Sequence, residues 1–243
     1  EKRVEDVVTI KGEVYGIGWL RTVTRRRGPN DWEHLSEGLW QEGDKGAGFT
    51  DLDGFDHNDL YAVGGDSDVW HYDGGTWTPL DVTDKHFRPK AVCCAEDGYV
   101  YIVGAWGVVI RGRGDQWESY FPEEVGPKLV SVVSYNGRIY MGSEEGVYVL
   151  DHNAKSLVPE RYDFEGQIAP IYAHRLDVGH GLLMMAGFYS VALFDGKQWK
   201  YLYGGGPTPQ DEAQLLEHML RATEDSVDAL GDLRDVLKKE TKK

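Results

Sequence analysis

Asp51, Asp53, Asp56 and Asp59 are the densest group of side chains in this sequence that could do chemistry. Converging carboxylates can hold Ca²⁺ through oxygen ligands. With Glu96 and Asp177 they could instead act as a glycosidase pair. Asp56 and Asp59 flank a turn signal, however, and aspartate is favoured in turns for its local hydrogen bonds. A structural role therefore competes with both. Other chemical signals are sparse. The eight histidines lack metal-ligand spacing. There is no phosphate-cradling glycine loop followed by Lys-Ser/Thr, no His-Glu-x-x-His and no Gly-x-Ser-x-Gly. Cys93 and Cys94 are adjacent, so in a strand they point to opposite faces and read as small buried side chains. We expect no catalytic residue, no metal site and no cofactor.

The elements that carry these residues recur. An apolar residue followed by tyrosine, then glycine a few positions on, appears at Val14-Tyr15 to Gly18, Leu60-Tyr61 to Gly64, Val100-Tyr101 to Gly104 and Ile139-Tyr140 to Gly142. A degenerate fifth copy is Leu183-Met184 to Gly187. A second anchor trails each first one: Trp32, Trp77, Trp117, Leu157 and Trp199. Hairpin turn signals precede each tyrosine, as in Asp97-Gly98 and Asn136-Gly137. Each copy holds four short stretches of strand character, which in the third are Ala91–Ala95, Tyr99–Val103, Val108–Arg111 and Gln116–Tyr120. Four antiparallel strands repeated at about 40 residues describe propeller blades. The expected fold is all-β: a five-bladed β-propeller of four-stranded antiparallel blades over residues 1–203, starting near Val4 and ending near Leu202. No blade borrows a strand, so closure rests on packing between blades five and one. The tryptophans Trp32, Trp77, Trp117 and Trp199, like the tyrosines, are expected to pack between blades.

A glycine-rich linker, 204–207, separates this region from residues 208–243. There Thr208, Pro209 and Asp211 resemble a helix start. Leu216, Leu220, Val227, Leu230, Leu233 and Leu237 recur broadly on one face. A C-terminal helix dispensable for propeller folding is predicted, one that could pack on the propeller, pair with a partner or form a homo-oligomer.

In a propeller the turn between a blade's second and third strands shares a face with the link to the next blade. The turns supply Trp19, Asp66, Asp68, Trp106, Glu144, Glu145, Phe188 and Tyr189. The links add Trp40, Glu42, Asp44, Phe87, Phe121, Glu123, Glu124 and Phe164. Aromatic and acidic residues thus gather on one face, which suggests a binding surface if the rings do not fold back beneath their loops. The candidate contacts are Trp19, Trp40, Asp66, Asp68, Trp106, Glu144, Glu145, Phe188 and Tyr189. The opposite face carries Arg25, Arg26, Arg27, Arg111 and Arg113.

The segments Asp59–Gly64 (DLYAVG), His71–Trp77 (HYDGGTW) and Phe194–Trp199 (FDGKQW) resemble blades of short bacterial propeller proteins. Those are similar to proteins encoded beside polymorphic or secreted toxins, where they act as immunity proteins. The resemblance covers residues 4–203. Kelch and Asp-box propellers are similar too, but their double-glycine and full Asp-box patterns are missing. The resemblance implies a non-catalytic protein-binding role, as an antitoxin that blocks a basic toxin domain. A formal charge of −15 agrees, because it repels nucleic acid and anionic membranes and attracts a basic protein. A sugar-binding lectin is the alternative, but it would need near-identical pockets in every blade. A propeller glycosidase is the third reading. The cysteine usage, the lack of a signal-peptide pattern in residues 1–20 and the lack of a long apolar run lead us to expect a cytoplasmic protein.

Overall fold

The computed structural model describes residues 3–203, except 41–47, 84, 121–125, 154, 165–166, 171–172 and 189, and without the side chains of 161–170. The expected C-terminal helix and the linker before it lie outside the described residues. Each of the five repeats forms one antiparallel sheet of four consecutive strands. Blade one is β1 (Val4–Ile10), β2 (Glu13–Gly18), β3 (Thr22–Gly28) and β4 (Asp31–His34). Blade two is β5 (Phe49–Asp56), β6 (Asp59–Gly64), β7 (Asp68–Tyr72) and β8 (Trp77–Pro79). Blade three is β9 (Pro89–Cys94), β10 (Val100–Gly104), β11 (Val109–Arg113) and β12 (Gln116–Tyr120). Blade four is β13 (Leu129–Tyr135), β14 (Arg138–Ser143), β15 (Gly146–Asp151) and β16 (Ser156–Pro159). Between blades four and five the chain forms an extra hairpin, β17 (Arg161–Phe164) with β18 (Gln167–Pro170). Blade five is β19 (Arg175–Gly179), β20 (Leu182–Ala186), β21 (Val191–Phe194) and β22 (Trp199–Tyr203). The extra hairpin corrects the sequence reading, which placed Phe164 in a plain link. Its two short strands fall outside both anchor spacings and so leave no mark on the repeat.

The glycine that closes the first three tyrosine motifs has a steric cause. A Cβ on Gly64 would lie 2.0 Å from the Gly48 carbonyl oxygen, and one on Gly104 would lie 2.0 Å from that of Arg88. The incoming link crosses the end of the second strand there, and only glycine admits it. Three of the inner hairpins, in blades one, four and five, turn through paired positive φ angles, as at Asn136 (51°) and Gly137 (72°). That geometry matches the twist of the flanking strands.

Apolar clusters fill four inter-blade wedges. Tyr15, Ile17, Leu52, Leu60 and Trp77 pack between blades one and two. Tyr61, Val92 and Ile102 pack between two and three, with Trp117 against them. Tyr101, Leu129 and Met141 pack between three and four, with Leu157 alongside. Tyr140, Leu176, Leu183 and Trp199 pack between four and five. Each tyrosine therefore faces the following blade and each outer anchor the preceding one. Trp32 departs from the expected packing. It is 40% exposed, against 8% for Trp77 and 7% for Trp199, because the blade before it is blade five, across the closure of the ring.

Candidate protein-binding face

The inner-strand carboxylates act as staples between blades. Asp51 accepts from its neighbour Leu52 N–H and, across the wedge, from Val92 N–H, both at 2.9 Å. Asp53 repeats this with Gly54 at 2.8 Å and Cys94 at 2.7 Å. Strand β9 thereby has two inner N–H groups satisfied by side chains of blade two. Burial pushes the Asp51 carboxyl up to about 7, against the pull of its two backbone donors; burial also raises that of Asp53. Asp56 caps its turn by accepting from Asn58 N–H at 2.7 Å. Asp59 pairs with His71 at 2.8 Å and Arg113 at 2.6 Å. Hydrogen bonding thus accounts for all four members of the group. A cavity of about 190 Å³ among the first strands β5, β9, β13 and β19 is lined by Asp51, Asp53, Lys90, Ser131, Arg175 and Asp177 among others. Among the described residues no group of three or more His, Cys, Asp or Glu is placed to hold a metal ion. Burial raises both thiols, Cys93 and Cys94, so neither is a ready nucleophile.

The turns between second and third strands do share a face with the links. Ser67 N–H donates to the Phe87 carbonyl at 3.0 Å, Ala105 N–H to that of Arg88 at 3.1 Å, and Gly126 N–H to that of Trp106 at 3.2 Å. On this face Trp19 is 51% exposed, Trp40 40%, Trp106 43% and Phe188 66%. Trp106 sits in a 3₁₀ turn, Ala105–Gly107, at φ 63° and ψ 21°. This left-handed backbone is costly for an aromatic residue. The Trp19 indole Nε1–H donates to Glu5, and Phe188 lies against His174 at 5.3 Å between ring centroids.

The acidic members divide. Asp66 and Glu144 are well exposed, with Arg88 at 3.1 Å and Lys128 at 4.0 Å respectively. Glu145 is exposed beside Tyr148. Asp68 is nearly enclosed. It takes the Arg21 guanidinium at 2.8 Å and the Trp70 indole N–H at 2.8 Å. Its charge is thus already matched, across the wedge between blades one and two. Phe87 folds beneath its loop, 1% exposed, into the wedge between blades two and three. Tyr189, Glu42, Asp44, Phe121, Glu123 and Glu124 lie outside the described residues, as does the side chain of Phe164. Arg21 was missed by the sequence reading, and its spacing from Asp68 follows no repeat that could have announced it.

The opposite face is largely self-satisfied. Arg25 pairs with Glu13 and Arg27 with Glu33. Arg111 meets Glu118 at 3.1 Å and lies 3.6 Å over the Tyr99 ring. Arg113 covers Phe55 at 3.8 Å while it binds Asp59. Arg26 is exposed.

No family model matches the chain. Over 195 residues it is 35% identical to the Immune protein Tsi7 of Pseudomonas aeruginosa, covering 79% of this chain and 62% of that protein. The chain therefore spans less than two thirds of that relative's length. Among solved structures, virginiamycin B lyase from Staphylococcus aureus superposes with a TM-score of 0.63 at 10% identity, over 82% of this chain and 69% of that one. The extracellular domain of the one component system BT4673 from B. thetaiotaomicron gives 0.58 at 10% identity, over 84% of this chain and 28% of that one. Identities that low establish the propeller fold and nothing of the chemistry.

Proposed function

We propose that this chain is an immunity protein that binds a toxin domain and blocks it without catalysis. The observation that carries the reading is the 35% identity to an immune protein across 79% of the chain. Two features agree with it. Exposed aromatic rings collect on one face, and two of the inner carboxylates that could have served catalysis, Asp51 and Asp53, are tied up in bonds between blades. The partner we infer is a basic protein, from the formal charge of −15. It docks on Trp19, Trp40, Trp106 and Phe188, with Tyr189 next to Phe188 in the sequence, and Asp66, Glu144 and Glu145 at the margin. Asp68 supports that face by fixing Arg21 and Trp70. The test is co-purification from the source bacterium, followed by growth rescue when the partner is expressed with this chain. A basic partner whose toxicity the chain suppresses is the expected result. A glycan ligand, or turnover of a small substrate, would overturn the proposal.

A further inference from the structure

The four filled wedges follow one plan, and the fifth does not. Tyr15, Tyr61, Tyr101 and Tyr140 are each at most 3% exposed, packed on the following blade. Met184 holds that position in blade five and is 38% exposed. Trp32 holds the matching outer-anchor position in blade one and is 40% exposed. Val7 on β1 is 54% exposed and Leu202 on β22 is 56% exposed. Among the described residues no apolar cluster joins blade five to blade one.

The inner staple is also half made. Register places Asp177 opposite Met184 as Asp53 is opposite Tyr61. Like Asp53, Asp177 accepts from the next N–H, that of Val178, at 2.8 Å. Asp53 also reaches Cys94 N–H in the next blade; no corresponding bond from Asp177 to blade one is found among the described residues. Among the described residues, what crosses this seam is one ion pair, Arg175 to Asp6 at 2.8 Å, with side chains 59% and 32% exposed.

We propose that the seam between blades five and one is a latch. The Arg175–Asp6 pair holds the ring shut, and the ring opens there while the four apolar wedges stay packed. An exposed ion pair contributes little and is screened by salt. Opening one wedge that lacks an apolar cluster costs far less than breaking the others, and local opening follows the least-packed unit.

Hydrogen exchange on the full chain, read by mass spectrometry, tests this. It is compared at about 0.1 M and about 1 M salt, where the screening length falls from about 10 Å to about 3 Å. Strands β1 and β20 are expected to exchange faster than their counterparts β5, β9 and β13 or β6, β10 and β14, and to quicken further in high salt. Asp6→Asn, which leaves Arg175 beside Asp51, should quicken exchange in β20 several-fold although the change lies in blade one. Arg175→Gln should do the same to β1. The double variant should be no faster than either single one, since one interaction is lost in each case. Equal exchange across the five blades, indifference to salt, effects confined to the substituted blade, or additive effects would each overturn the latch.

Discussion

Trp106 combines exposure with a backbone angle that only a surrounding constraint sustains. Its turn is fixed by Ala105 N–H on Arg88 and by its own carbonyl on Gly126 N–H. The ring is therefore presented rather than packed. Trp106→Ala should leave thermal unfolding within about 1 kcal/mol of the parent. It should weaken partner binding by about 2 kcal/mol or more, chiefly through faster dissociation. Surface plasmon resonance reads both rates, and unchanged dissociation would remove Trp106 from the interface. Asp51 offers a pH test. Its folded carboxyl, pushed up to about 7, holds a proton where the unfolded one, near 3.8, has lost it. The folded state then binds the extra proton between those values, so the contribution of Asp51 to stability is present below about 4 and is lost as pH rises through about 7. The slope is at most about 1.4 kcal/mol per pH unit for one proton. Asp51→Asn keeps an acceptor and removes the charge, so its stability relative to the parent should improve from pH 5 to pH 8. A pH-independent difference in denaturation midpoint would show that Asp51 keeps its ordinary carboxyl range.

At the scale of the blade, the two anchor positions give opposite forecasts for the same residue type. Trp77 is buried between blades one and two, with its indole N–H on the Leu35 carbonyl at 3.0 Å. Trp77→Ala should cost about 3–5 kcal/mol. Trp32→Ala should cost under about 1 kcal/mol, because it faces the sparse seam. Equal losses in chemical denaturation would mean that blade five covers Trp32 in solution. Gly104→Ala should also destabilise markedly, since the Arg88 carbonyl lies where the methyl must go. These positions explain what was legible in the sequence. Packing wedges and chain crossings repeat with the blade, so tyrosine, glycine and tryptophan keep their spacing. The β17–β18 hairpin occurs once, and the Asp68–Arg21 pair depends on two loops meeting in space, so neither has a period to detect. Phe87 and Trp106 both looked like exposed loop aromatics. Only the path of the chain decides that one turns under and the other out.

For the whole molecule, the surplus of acid is a long-range property rather than a feature of one patch. On the proposed binding face, Asp68, Asp66 and Glu144 each stand beside a cation, and on the opposite face most arginines are matched by carboxylates. Local pairing therefore cancels much of the near field on both sides, and the formal charge of −15 acts at a distance. Such a field steers a basic partner during encounter and fades once the surfaces touch. The association rate should accordingly fall about ten-fold or more between about 0.1 M and about 1 M salt, with dissociation little changed. Glu144→Lys with Glu145→Lys should slow association a few-fold, because these carboxylates border the contact. Arg26→Glu, on the far side, should alter either rate by less than about two-fold. Stopped-flow mixing with the co-purified partner reads these rates directly. If Arg26→Glu is the change that abolishes binding, the partner sits on the opposite face. If association is indifferent to salt, or the partner is itself acidic, the charge contributes solubility and does not select the partner.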